Sequence, residues 1–125
     1  MNTIFFIFIG AGLGGVLRYG ISNGVYRLFK AQFPIGTLVV NVSGCFLMGL
    51  LFIVLLDRFE QFSAELRALL LVGMLGGYTT FSSFSIETIN LFENGHWLNA
   101  MMNIFLSVGL CLIATWLGVV MGRSL

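Results

Sequence analysis

Apolar residues run through the chain in four long stretches separated by short polar links, and most of the eleven charged side chains fall in or beside those links. Arg18, Arg27, Lys30, Asp57, Arg58, Glu60, Glu65, Arg67, Glu87, Glu93 and Arg123 leave uncharged gaps at 31–56, 68–86 and 94–122. A bilayer core about 30 Å thick is crossed by roughly 20 helical residues, so each gap holds one spanning helix. The first stretch, Ile4 to about Phe29, is equally apolar but carries Arg18. The pattern therefore predicts an all-α membrane protein of four transmembrane helices, at 4–29, 35–56, 66–92 and 97–122, forming one domain over residues 1–125. Pro34, the only proline, stands just before the second helix, where its fixed φ suits a helix start. The Asp57–Glu65 link is the only markedly polar one, and Asn94-Gly95 marks a tight turn before the fourth helix. Tyr26, Phe29 and Trp97 sit near helix ends, where interfacial aromatics belong.

Links this short predict an up-and-down bundle, and four helices leave no room for a watery path down their own axis. Any transport path is expected between subunits. Gly10/Gly14, Gly20/Gly24, Gly73/Gly77 and Gly118/Gly122 are small-xxx-small pairs, which let helix backbones approach closely in lipid. They serve packing within one bundle or a seam between two.

Composition narrows the function classes. The chain is 58% hydrophobic and 9% charged, against roughly 25% charged in a soluble domain, so a soluble monomer is excluded. The spans consume most of the 125 residues, which leaves no mass for an extramembrane catalytic or nucleic-acid-binding domain. A net charge of +1 carries no nucleic-acid signal either. Residues 1–8 lack the basic region and cleavage pattern of a secretory signal and are expected to remain in the mature protein. Cys45 and Cys111 both fall mid-span and read as small packing residues. His96, the only histidine, lies in a turn with no nucleophile or metal-ligand spacing around it, so an enzyme is not expected.

Charge placement then bears on orientation. The side holding both termini and the central link collects Arg58, Arg67 and Arg123, the other side Arg27 and Lys30, a difference of 3 − 2 = 1. The positive-inside rule gives such a chain almost no preferred orientation. Insertion both ways, with an antiparallel pair as the working unit, is the expectation.

Polar groups kept inside apolar spans are costly, and so mark candidate function. Glu87 is the one acidic residue inside a span, and Arg18 the one basic residue well inside. Asn41 lies early in the second helix, where a helix-to-helix hydrogen bond is the ordinary alternative. The third span is the most unusual, reading Gly76-Gly77-Tyr78-Thr79-Thr80-Phe81-Ser82-Ser83-Phe84 and then Glu87. Paired glycines followed by paired threonines predict a helix broken mid-membrane, with free carbonyls before the break and a threonine capping the restarted helix. Such backbone is tolerated in a membrane only where protein, water or an ion meets it. Helical spacing sets Thr80, Ser83 and Glu87 on one stripe and Phe81, Phe84 and Thr88 on its neighbour. The first looks like a polar track. The second is an ordinary core pattern, although the positive edges of phenyl rings also suit an anion. Asn103 and Ser107, one turn apart in the fourth span, extend the track or pack helices.

These residues resemble the Fluc family of fluoride channels (CrcB-like proteins) over essentially the whole chain. The likeness rests on Gly14-Gly15-x-x-Arg18-Tyr19, Asn41-x-x-Gly44-x-Phe46-x-x-Gly49 and Gly76-Gly77-x-Thr79-Thr80-Phe81-Ser82-x-Phe84. It implies a passive fluoride channel of the inner (plasma) membrane, built as an antiparallel homodimer in lipid with two pores at the subunit interface. By the same resemblance Asn41 gives fluoride an amide donor and Phe81 and Phe84 line its path with ring edges. Thr80, Ser83 and Glu87 line or support the track and Arg18 lies near a vestibule, while Ser107 is placed on the path by its spacing alone. Main-chain carbonyls of Gly76 and Thr79 from both subunits are expected to hold a structural sodium ion. The chain departs from the family in carrying Asn103 where its members often have Tyr. The alternative is a small multidrug-type proton-coupled transporter, which resembles this chain in size and weak charge bias. Its embedded first-helix Glu is missing here, and only Glu87 offers a substitute.

Overall fold

The computed structural model describes residues 2–30, 32–58 and 64–125 and is helical throughout, apart from short connections. The centre of the polar link, 59–63, lies outside the described residues. Helix α1 is Asn2–Leu28; α2 is Ile35–Phe52, prolonged by wide π-type turns over Ile53–Arg58. Helix α3 starts as Ala64–Arg67, loosens into π-type turns over Ala68–Leu75 and finishes with Gly76–Tyr78. Helix α4 is Phe81–Glu93 and α5 is Trp97–Ser124. Four stretches, Asn2–Leu28, Ile35–Asp57, Ala64–Glu93 and Trp97–Ser124, are long and apolar enough to cross a membrane, which makes this a multi-pass membrane protein. They match the sequence-based spans to within about two residues at each end, because charges and turn residues mark the ends.

The α4–α5 turn shows that local logic well. Gly95 takes a φ of 81°, its N–H donates to Phe92 O (3.1 Å), and the His96 N–H donates to Leu91 O (2.8 Å). A left-handed glycine with this bond pair closes the carbonyl end of α4 and reverses the chain into α5.

Two parallel helix pairs form the bundle. A Cβ on Gly10 would collide with Leu69 O and Met74 N, and one on Gly14 with Met74 O and Tyr78 N, so contacts advance along α1 and α3 together. Gly73 and Gly77 answer from α3, against Ile7 O and Ala11 O (2.8 and 2.6 Å). In the other pair, Gly49 of α2 meets Thr115 O, while Gly118 and Gly122 of α5 meet Phe46 O and Ile53. Parallel contact between first and third spans, and between second and fourth, is what an up-and-down chain produces. Three of the four small-xxx-small pairs thus serve packing inside one chain, where backbone contact replaces the missing hydrophobic drive. Gly20 and Gly24 face open space instead. Leu55, Leu71 and Leu75 form a buried cluster where the end of α2 meets α3. Elsewhere large apolar side chains such as Phe8, Phe105 and Trp116 point outward along the spans.

Candidate functional site

The site is built around two residues that are not helical. Thr79 (φ −81°, ψ 154°) and Thr80 (φ −149°, ψ 115°) are extended between Tyr78 and Phe81. The Thr79 N–H and Oγ1 both donate to Leu75 O at 3.0 Å, which closes the last turn of α3. Thr80 Oγ1 accepts from the Ser83 N–H (3.1 Å) and donates to Ser83 Oγ (3.1 Å), so it caps α4 as its position before the helix predicts.

Asn41 braces the extended strand. Its Nδ2 donates to Thr80 O (2.9 Å) and its Oδ1 accepts from the Thr80 N–H (2.8 Å). The amide thus acts as a one-residue sheet partner. Only one orientation satisfies both bonds, because the backbone N–H must meet the carbonyl oxygen. One of the two Nδ2 hydrogens remains for another acceptor. Gly44, one turn along α2, lets this brace come close, since a Cβ there would strike Thr79 Cγ2. Tyr78 OH donates to Ser43 Oγ (2.9 Å), whose own proton goes to Val40 O, and fastens the other flank.

Beside the brace lies a cavity of about 290 Å³ whose walls include Asn41, Thr79, Thr80, Phe81, Phe84 and Ser107. Its lining holds no carboxylate, guanidinium or ammonium. Phe84 is buried at 9% exposure, while Phe81 stands 75% exposed, with ring centroids 5.3 Å apart and planes at 50°. Cys45 and Cys111 also line this cavity, which the sequence reading did not anticipate.

The remaining sequence candidates lie elsewhere. Ser83 joins the site through Thr80. Glu87 does not continue the hydroxyl stripe but turns to α1 and α2, where Oε2 accepts from Thr37 Oγ1 (2.9 Å) and Tyr26 OH (3.3 Å). Its Oε1 is buried without a partner among the described residues. Tyr26, expected at the lipid interface, is therefore turned inward. Glu87 and Tyr26 line a second cavity of about 360 Å³ with Asn90, Asn94 and His96. Arg18 borders neither cavity; its Nε donates to Gly77 O (3.3 Å), a carbonyl near the end of α3. Asn103 is 2% exposed, donating to Thr88 Oγ1 (2.8 Å) and accepting from Ser107 Oγ (3.1 Å), so it ties α4 to α5 behind the cavity. Gly76 is exposed, with nothing nearer than Leu71 O at 4.0 Å to the place of a Cβ.

A family model described as CrcB-like protein, Camphor Resistance (CrcB), matches residues 5–119. The chain belongs to the CrcB family. All three motifs of the sequence reading fall within the matched residues. A fluoride-specific ion channel FluC of Coxiella burnetii is 58% identical over 125 residues, covering 100% of both chains. The one of Geobacter sulfurreducens is 47% identical over 125 residues, again 100% of both. That of Methylococcus capsulatus is 50% identical over 123 residues, 98% of this chain and 54% of the relative.

Proposed function

We propose that the chain is a passive, fluoride-selective channel that exports the ion and so relieves its toxicity. The observation that carries the reading is the cavity walled by an amide, hydroxyls and phenyl rings without a fixed charge. The relatives named fluoride-specific ion channel support it. Fluoride is small and strongly hydrated, and an unpaired ion moved into low dielectric costs tens of kcal/mol in the Born limit. The free N–H of Asn41 and the ring edges of Phe81 and Phe84 replace its water, and the Thr80 and Ser107 hydroxyls join them by turning their protons from Ser83 Oγ and Asn103 Oδ1 to the ion. Ser83 orients the Thr80 hydroxyl, and Arg18 steadies the end of α3. Glu87 stands beside the second cavity. Donors of this kind bind an anion weakly enough to release it, where a lysine or arginine would hold it. The rings set a width that excludes chloride.

The working unit in this reading is an antiparallel homodimer in the inner membrane, with two pores at its interface. Support comes from the exposure of Phe81, which leaves the cavity without an outer wall in one chain, and from the charge difference of one between the two sides. The resemblance also implies a sodium ion at the dimer centre. The residues present fit that ion: Gly76 is exposed and open to a second backbone, and the chain unwinds at Thr79. Carbonyl oxygens from Gly76 and Thr79 of both copies would hold the ion, which supplies positive charge to pin the broken helices together. Proton-coupled drug export draws no support from the relatives.

The test is anion flux from liposomes holding the purified protein. Fluoride leaves and chloride stays in wild type, and Phe81→Ile lowers fluoride flux. Equal passage of the two anions defeats the proposal.

A further inference from the structure

Cys45 and Cys111 lie one helical turn beyond Asn41 on α2 and Ser107 on α5, and both line the same cavity. The register that brings them together is fixed by Thr115, one turn past Cys111, whose Oγ1 donates to Cys45 O (3.2 Å). Gly49 reinforces it by admitting the Thr115 carbonyl. The two cysteines are free and half-buried. Two helices thus bring one thiol each to the wall of a single cavity, held in register by the same contacts that shape it.

No aspartate, glutamate or histidine lines the cavity, and no cluster of three or more metal-ligating side chains occurs among the described residues. A zinc site wants four ligands, or three with water. Two thiolates alone suit soft ions that accept linear two-coordination, the class of Cu(I), Ag(I) and Hg(II).

We infer that Cys45 and Cys111 form a two-thiol site for a soft, two-coordinate metal ion in the wall of the conduction cavity, and that its occupation stops conduction. The location in a conduction path rests on the function proposed above. Binding replaces both S–H protons by one metal ion and releases two protons, so a monovalent ion leaves a net charge of −1 on the bis-thiolate. That charge sits about 5 Å, one helical turn, from Asn41 and Ser107. An anion meets both a narrowed cavity and a like charge.

The experiment uses full-length protein in chloride-free liposomes, with silver nitrate as the probe. Metal content per chain and fluoride efflux are measured together for wild type, Cys45→Ser, Cys111→Ser and the double variant, each flux compared with its own untreated value. The expectation is one silver ion per wild-type chain with at least a tenfold loss of flux, and at least tenfold more silver needed in either single variant. Zinc nitrate at the same concentration leaves wild-type flux intact. Three results overturn the inference: single variants as sensitive as wild type, a shift in only one of them, or bound silver with undiminished flux. Untreated fluoride flux reports on the proposed function separately, and the metal content of wild type against the variants still judges the site should that flux be absent.

Discussion

Asn41→Asp exchanges the Nδ2 donor for an oxygen and adds a charge, while disturbing shape very little. In wild type that nitrogen donates to Thr80 O at 2.9 Å and holds its second hydrogen for the cavity. A carboxylate there faces a carbonyl and an approaching anion with the same sign. For an anion about 4 Å away at an effective dielectric constant of about 20, the added repulsion is about 4 kcal/mol. At about 1.4 kcal/mol per factor of ten, fluoride flux falls roughly a thousandfold. Asn41→Ala separates this charge effect from loss of the donor. A hydrogen bond to a charged group is worth about 1.5–3 kcal/mol, so the alanine variant loses roughly 10- to 100-fold. Fluoride efflux from liposomes, normalised to protein that elutes as wild type does on size exclusion, gives the order wild type, Ala, Asp. Equal fluxes in the Asp and Ala variants, or an Asp variant within tenfold of wild type, refute the electrostatic reasoning.

Other contacts lead to separate expectations. Thr80→Val removes the cap on α4 and lowers unfolding free energy in detergent by about 1 kcal/mol, while Thr80→Ser restores it. Gly49→Ala drives a Cβ into the Thr115 carbonyl and costs about 1–3 kcal/mol, read as a lower thermal midpoint. Asn103→Leu removes the donor to Thr88 Oγ1 and the acceptor of the Ser107 hydroxyl, which unties α4 from α5 at a cost of about 1–3 kcal/mol, read as a lower thermal midpoint.

Whatever depends on position along one helix was legible in the sequence. Charge gaps marked the spans, and Thr80 before Phe81 announced its cap. Asn41 was singled out as a polar residue in lipid, and Thr80, Phe81, Phe84 and Ser107 do meet beside it. What escaped was set by register between helices. Stripe arithmetic on α4 joined Glu87 to Thr80 and Ser83, whereas Thr37 and Tyr26 of other helices claim its carboxylate. An asparagine in lipid suggests a donor to an ion, but half of the Asn41 amide is spent bracing Thr80, a contact between residues 39 positions apart. The π-type turns carry no composition signal, since Ala, Leu and Val serve equally well in a regular helix.

Those turns bear on how the chain tolerates changes of length. A π-type turn holds an extra residue relative to the α-helix around it, so it is slack in the coil. A one-residue deletion between Ala68 and Leu75 is absorbed by tightening a wide turn, which keeps Gly76, Gly77 and the Thr79–Thr80 interruption facing the same neighbours. The same deletion within Phe81–Glu93, which is regular, turns everything beyond it by about 100° and carries Thr88 away from Asn103. Insertions and deletions among natural variants should therefore collect on the side of α3 that precedes the interruption, and stay out of α4.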